Sequence, residues 1–139
     1  MVALLATGCS LGDPTDAGSI NLYLEVDKTQ LRIGESLTIT VTARNVGYDP
    51  LTLTGPSDCL LYVEVLTEQG QVVWNSNSAC TGSTVTEQLP AGQEKIQSYT
   101  WNGSNRDGLR VPSGIYNIRG VARVTGAAYA GPLLSVPVE

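Results

Sequence analysis

The stretch "LTITVTARN", residues 37–45, decides the fold. Leu37, Ile39, Val41 and Ala43 alternate with Thr38, Thr40 and Thr42. A period of two puts the first set on one face of a strand and the threonines on the other. Branched hydroxyl side chains suit the wet face of a sheet, so this is a half-buried strand. Upstream, "INLYLEVDKT" (20–29) alternates in the same way through Ile20, Leu22, Leu24 and Val26, and "LRIGES" turns the chain at Gly34. Downstream, a short strand at Leu51–Thr54 lies between turn signals, and "LLYVEVLTEQGQVVWNS" reads as a hairpin with Gly70 in its turn. "TVTEQLPAGQEKIQSYTW" repeats the form across Pro90–Gly92. "GIYNIRGVARVTG" alternates through Tyr116, Ile118, Gly120, Ala122 and Val124, and a last strand covers about Leu133–Val138. Seven to nine strands with regular turns and no periodic helix predict an all-β domain of two packed antiparallel sheets. Gly120, in mid-strand, marks a bulge or the close approach of a large ring, with Trp101 or Trp74 to supply it.

The totals agree. The chain has 139 residues, which is one domain's worth, with a core that needs no metal. Eight basic residues against 13 acidic ones give a charge of -5, and no Lys/Arg cluster exists to meet a phosphate backbone, so no nucleic-acid partner is expected. Histidine is absent, which removes imidazole acid–base chemistry, His-based triads and His metal sites. Lys28 and Lys95, the only lysines, lie in no pattern that pairs them with a serine nucleophile. No cofactor, metal or enzyme activity is expected. Phenylalanine is absent too, so Trp and Tyr must fill the aromatic core, and their polar ends need partners.

The chain opens "MVALLATGCSLGDPTDAGS". An apolar run from Val2 to Ala6, small residues and then Cys9 resemble a bacterial lipobox, although Ala6 stands where that motif prefers leucine. The resemblance implies acylation of Cys9 and a gene start further upstream that supplies a basic segment. Residues 1–19 then read as the remnant of a lipoprotein signal peptide and a polar tether, and residues 20–139 as the folded domain. The expected location is a bacterial cell envelope, with a membrane contact through lipid; the alternative, if the N-terminus is complete, is the cytoplasm. Cys59 and Cys80 make an even pair, and export favours a disulfide between them.

The segment "WNGSNRDGLRVPSGIYNIRG" (101–120) joins two strands. Trp101 can lid one end of the core, and Pro112 fixes φ and keeps Val111 extended. Gly114 permits a turn, and Tyr116 re-enters the core with its hydroxyl at the rim. These four residues form a structural clamp. Asn105, Arg106, Asp107 and Arg110 between its ends form the candidate binding loop, with "NSNSACTG" (75–82) as a second candidate. Trp74 in "GQVVWNSN", the turn "LPAGQ", "YTWNG", "GLRVPSGIYNIRG", "TARNVG" and "SDCLLYVEV" occur in one order. Together they resemble the BsuPI-type domain family, named after the intracellular proteinase inhibitor of Bacillus, over about Ile20 to Gly126. The resemblance implies an immunoglobulin-like β-sandwich and raises proteinase inhibition as a function, with a proteinase as partner. No inhibitory loop maps onto these positions. The residues favour a non-catalytic, envelope-anchored protein-interaction module. Proteinase inhibition and a structural accessory role in an envelope assembly are the alternatives.

Overall fold

The computed structural model of the chain describes residues 19–125 and 127–139. Among these residues ten strands follow one another: β1 (Ile20–Val26), β2 (Leu37–Asn45), β3 (Leu51–Pro56), β4 (Leu61–Thr67), β5 (Val72–Asn75), β6 (Thr84–Leu89), β7 (Glu94–Trp101), β8 (Gly114–Val124), β9 (Ala127–Ala130) and β10 (Leu134–Val138). One sheet has the order β1-β2-β7. The other runs β5-β4-β8-β3-β6, with β9 and β10 also paired to β8. Every strand pairing is antiparallel, and a single parallel bridge joins Leu31 to Val138. The count exceeds the expected seven to nine by one. The extra strand is β9, "AAYA", whose alanines carry little strand propensity and which forms by folding back on the end of β8.

The alternation in β2 is realised: Leu37, Ile39, Val41 and Ala43 are wholly buried, while Thr38 is exposed and Thr40 and Thr42 are half-buried. They share one core with Leu53, Leu61, Val63, Val65, Ile118, Ala122 and Val136 of the larger sheet. Burying a Val, Leu or Ile side chain contributes about 1.5–3 kcal/mol, so this shared core is the main source of stability. The two sheets approach closely at Gly120. A Cβ built there would stand 2.6 Å from Val41 Cγ2 and 3.5 Å from Leu24 Cδ2. No ring fills that place. The glycine is needed because a β-branched residue of the opposite sheet already occupies it.

The register sorts the loops into two poles. Ile20 pairs with Asn45 and Arg44 with Glu94, so the chain enters the domain at the pole that also carries loops 46–50 and 90–93. We call this the tether pole, after the tether expected before residue 20. Leu37 pairs with Trp101, Thr67 with Tyr116 and Gly114 with Val138, so segments 27–36, 68–71 and 102–113 gather at the other, distal pole. The nine residues of β2 separate the poles by roughly 30 Å.

The tether pole is closed by polar plugs. Asn45 is wholly buried; its Nδ2 donates to the Asp49 and Leu89 carbonyls at 2.8 Å each, and its Oδ1 accepts from the Gly47 amide at 2.9 Å. Beyond the end of β5, the β4 amides find side chains instead of a strand: Val63 donates to Ser76 Oγ (3.0 Å) and Leu61 to Gln97 Oε1 (2.8 Å). Buried amides without such acceptors would each cost about 1–3 kcal/mol.

Candidate functional site

The distal segment 102–113 is built from its ends inward. Trp101 is wholly buried, and its indole Nε1 donates to the Ser104 carbonyl at 2.8 Å. Its ring lies 6.3 Å from Trp74 and 6.1 Å, edge-on, from Tyr116. The Tyr116 hydroxyl donates to the Pro112 carbonyl at 2.6 Å, and burial pushes its pKa up. Indole and phenol thus each tie an aromatic anchor to the backbone that follows or precedes it. Such ties satisfy the polar ends of buried aromatics. Gly114 starts β8 with a positive φ of 159°, and within the segment Gly103 and Gly108 both take φ of 82°.

Asn105 is the hub of the segment, not part of its exposed tip. It is half-buried, and its Oδ1 accepts from the Asp107 and Leu109 amides at 2.9 and 3.0 Å. Its own amide donates to the Leu109 carbonyl at 2.7 Å, and its carbonyl accepts from Gly108 at 3.0 Å. The four residues 105–108 therefore form a closed turn, with Arg106 and Asp107 at its apex and both exposed. The Arg106 amide donates to the Val73 carbonyl at 3.0 Å, and Nη2 reaches the Val72 carbonyl at 3.4 Å. This contact covers the outer edge of β5. Arg110 is exposed and its Nη2 donates to the Glu139 carbonyl. Of the four candidate binding residues, three present side chains outward and Asn105 holds them in place.

The second candidate, residues 75–82, lies toward the tether pole and is staked down. Cys59 and Cys80 are joined by a disulfide with Cα atoms 5.7 Å apart. Asp58 accepts from the Thr81 and Gly82 amides at 2.9 and 3.0 Å, and these two bonds hold its carboxyl below its usual range. Arg123 donates Nε to the Cys59 carbonyl at 2.9 Å, reaches Asn77 Oδ1, and lies 4.4 Å over the Tyr62 ring. Tyr99 donates to the Leu61 carbonyl; burial, then the neighbouring Asp58 charge, push its pKa to about 12. Buried anchors and short bonds leave this loop little freedom to adapt to a ligand. Asp58, Arg123 and Tyr99 had no local signal in the sequence, because their partners lie 23–64 residues away.

Among the described residues, no group of three or more His, Cys, Asp or Glu side chains could hold a metal ion. Cys9 lies outside the described residues.

No family model matches the chain, and no curated protein matches it by sequence. Solved structures do share the fold. The sporulation control protein of Bacillus subtilis superposes with a TM-score of 0.60 at 11% identity, over 88% of this chain and 50% of that one. AlkC, an alkylpurine DNA glycosylase of Pseudomonas fluorescens bound to DNA with an abasic site analogue, gives 0.54 at 10% identity, over 87% of this chain and 30% of its own. The CARDB domain of a Pyrococcus furiosus protein, in complex with di-metal ions, gives 0.51 at 12% identity, over 86% and 87%. The chain thus spans half or less of the first two proteins, and identities this low speak to fold alone.

Proposed function

We propose that the chain is an immunoglobulin-like, non-catalytic interaction module, held at a bacterial envelope by lipid on Cys9, that presents its distal pole to a protein partner. The observation that carries this reading is the polarity of the fold. The tether enters at one pole, and segment 102–113 stands about 30 Å away at the other. An anchored domain of this shape holds its distal loops away from the membrane. Arg106, Asp107, Leu109 and Arg110 project there from a turn fixed by Asn105 and by the Trp101 and Tyr116 anchors. Function on loops carried by a rigid scaffold follows general experience with two-sheet domains. The BsuPI-type resemblance supports the same fold and adds a proteinase as one class of partner.

Affinity purification of the full-length protein from its own cells tests the reading. Leu109 is 65% exposed at the distal pole, and Tyr48 is fully exposed at the tether pole. Leu109→Asp should strip a co-purifying protein, while Tyr48→Asp should retain it. Retention by both variants, or loss only with Tyr48→Asp, would overturn the proposal. If the co-purified protein is a proteinase whose activity the wild-type chain suppresses, the inhibitor alternative takes its place as the specific function.

A further inference from the structure

The chain has seven asparagines, and all of them lie within the described residues. Six are held through their side chains. Asn45 and Asn105 are the hubs described above. Asn21 Nδ2 donates to the Tyr23 hydroxyl at 3.3 Å, and Asn75 Oδ1 accepts from the Asn77 amide at 3.0 Å. Asn77 Oδ1 accepts from Arg123, and Asn117 Oδ1 accepts from Ser135 Oγ at 2.7 Å. Asn102 is the exception. It is exposed, and its side-chain amide forms no hydrogen bond among the described residues.

Asn102 is also the one asparagine that glycine follows. A glycine carries no Cβ to crowd its own backbone nitrogen. The Gly103 carbonyl accepts from the Val111 amide at 2.8 Å, but the Gly103 amide, in a buried residue, donates to no acceptor among the described residues. That nitrogen gives up no hydrogen bond when it attacks a neighbouring carbonyl carbon. Asp107–Gly108, in the same segment, is the contrasting case. There the Gly108 amide donates to the Asn105 carbonyl at 3.0 Å, which holds the proton that the corresponding nitrogen would have to lose.

We propose that Asn102–Gly103 is a site of spontaneous deamidation that the fold leaves open, independently of what the distal pole binds. The Gly103 nitrogen passes its proton to water and bonds to Asn102 Cγ. The Cγ–Nδ2 bond breaks, and Nδ2 takes up a proton and leaves as ammonia. Water then opens the five-membered imide at one of its two carbonyls, with no change of oxidation state. Opening at Cγ gives aspartate on an unchanged backbone. Opening at the main-chain carbonyl gives isoaspartate, whose backbone runs through Cβ and is one atom longer. That atom falls inside the span that the Trp101 indole closes on the Ser104 carbonyl at 2.8 Å, and next to the bond between Gly103 and Val111. The product therefore carries a new negative charge and a loosened clamp at the root of segment 102–113.

The test incubates the full chain in neutral buffer, folded and in urea, and follows Asn102, Asn77 and Asp107 by peptide mass spectrometry that separates aspartyl from isoaspartyl products. The ratio of folded to unfolded rate is the readout, because it removes the effect of the following residue alone. At Asn102 the ratio should lie within about threefold of unity, and at Asn77 and Asp107 it should be at least ~10-fold lower, the effect of hydrogen bonds that must first break. The melting midpoint of folded wild type should fall as isoaspartate accumulates. Asn102→Gln, whose longer side chain closes the ring far more slowly, should keep its midpoint over the same time. Fresh Asn102→Asp, with the charge but not the added backbone atom, should melt like fresh wild type. Protection of Asn102 by folding as strong as that of Asp107, or an equal fall of the midpoint in Asn102→Gln, would overturn the inference. A fresh Asn102→Asp already as unstable as aged wild type would overturn the loosening by the longer backbone.

Discussion

Gly120→Ala tests the packing of the two sheets with one added methyl group. The new Cβ would stand 2.6 Å from Val41 Cγ2, far inside van der Waals contact, and Val41 is wholly buried. Overpacking of this kind costs about 1–3 kcal/mol. Against it, an alanine restricts the unfolded chain more than a glycine and contributes about 0.4–1 kcal/mol of stability. The net expectation is a loss of roughly 1–2 kcal/mol. Urea melts read it as a lower midpoint at unchanged slope. Val41→Ala alone should also destabilise, by about 1–3 kcal/mol, through lost burial and a cavity. In the double variant the two side chains relieve each other, so its loss should fall short of the sum by at least about 0.5 kcal/mol. A neutral or stabilised Gly120→Ala, or strict additivity with Val41→Ala, would refute the claimed contact between the sheets at this point.

Three further outcomes follow from the same structure. Trp101→Ala removes a wholly buried ring together with its bond to Ser104 and should cost roughly 3–5 kcal/mol in denaturant melts, with Tyr116 fluorescence changing in parallel. Cys59→Ser with Cys80→Ser opens a bridge between residues 21 apart and should cost about 2–4 kcal/mol while far-ultraviolet dichroism keeps its strand signature. Burial, then the Asp58 charge, push the Tyr99 pKa from the usual 10.0 up to about 12, so its contribution to stability is complete below pH ~10 and is lost as pH rises through its folded value. Ultraviolet titration of tyrosinate should show its ionisation last, and Tyr99→Phe should flatten the alkaline part of the stability profile.

Periodicity carried much of this fold into view. The strands with clean alternation, β2 above all, bury the residues that their spacing assigns to the core, because a half-buried strand writes its two faces directly into the sequence. The Cys59–Cys80 pairing was legible from cysteine parity and the reading of export. What stayed hidden depends on distant partners. "AAYA" becomes a strand only because β8 offers an edge to it. Asn105 looks like a surface turn residue until its four local hydrogen bonds are seen to make it the support of the tip. Gly120 signalled a close approach correctly, but no rule of spacing could pick Val41 over a tryptophan as the neighbour.

Site-specific photo-crosslinking in cells that carry the full gene tests the distal pole most directly. A photoreactive residue replaces Leu109 in one strain and Tyr48 in another, and both proteins must reach normal levels. The account predicts a discrete crosslinked partner from position 109, with none from position 48, and loss of that adduct when Arg106 and Arg110 are also replaced by glutamine. A partner captured from position 48 and not from 109 would contradict it, and so would the absence of any adduct from position 109.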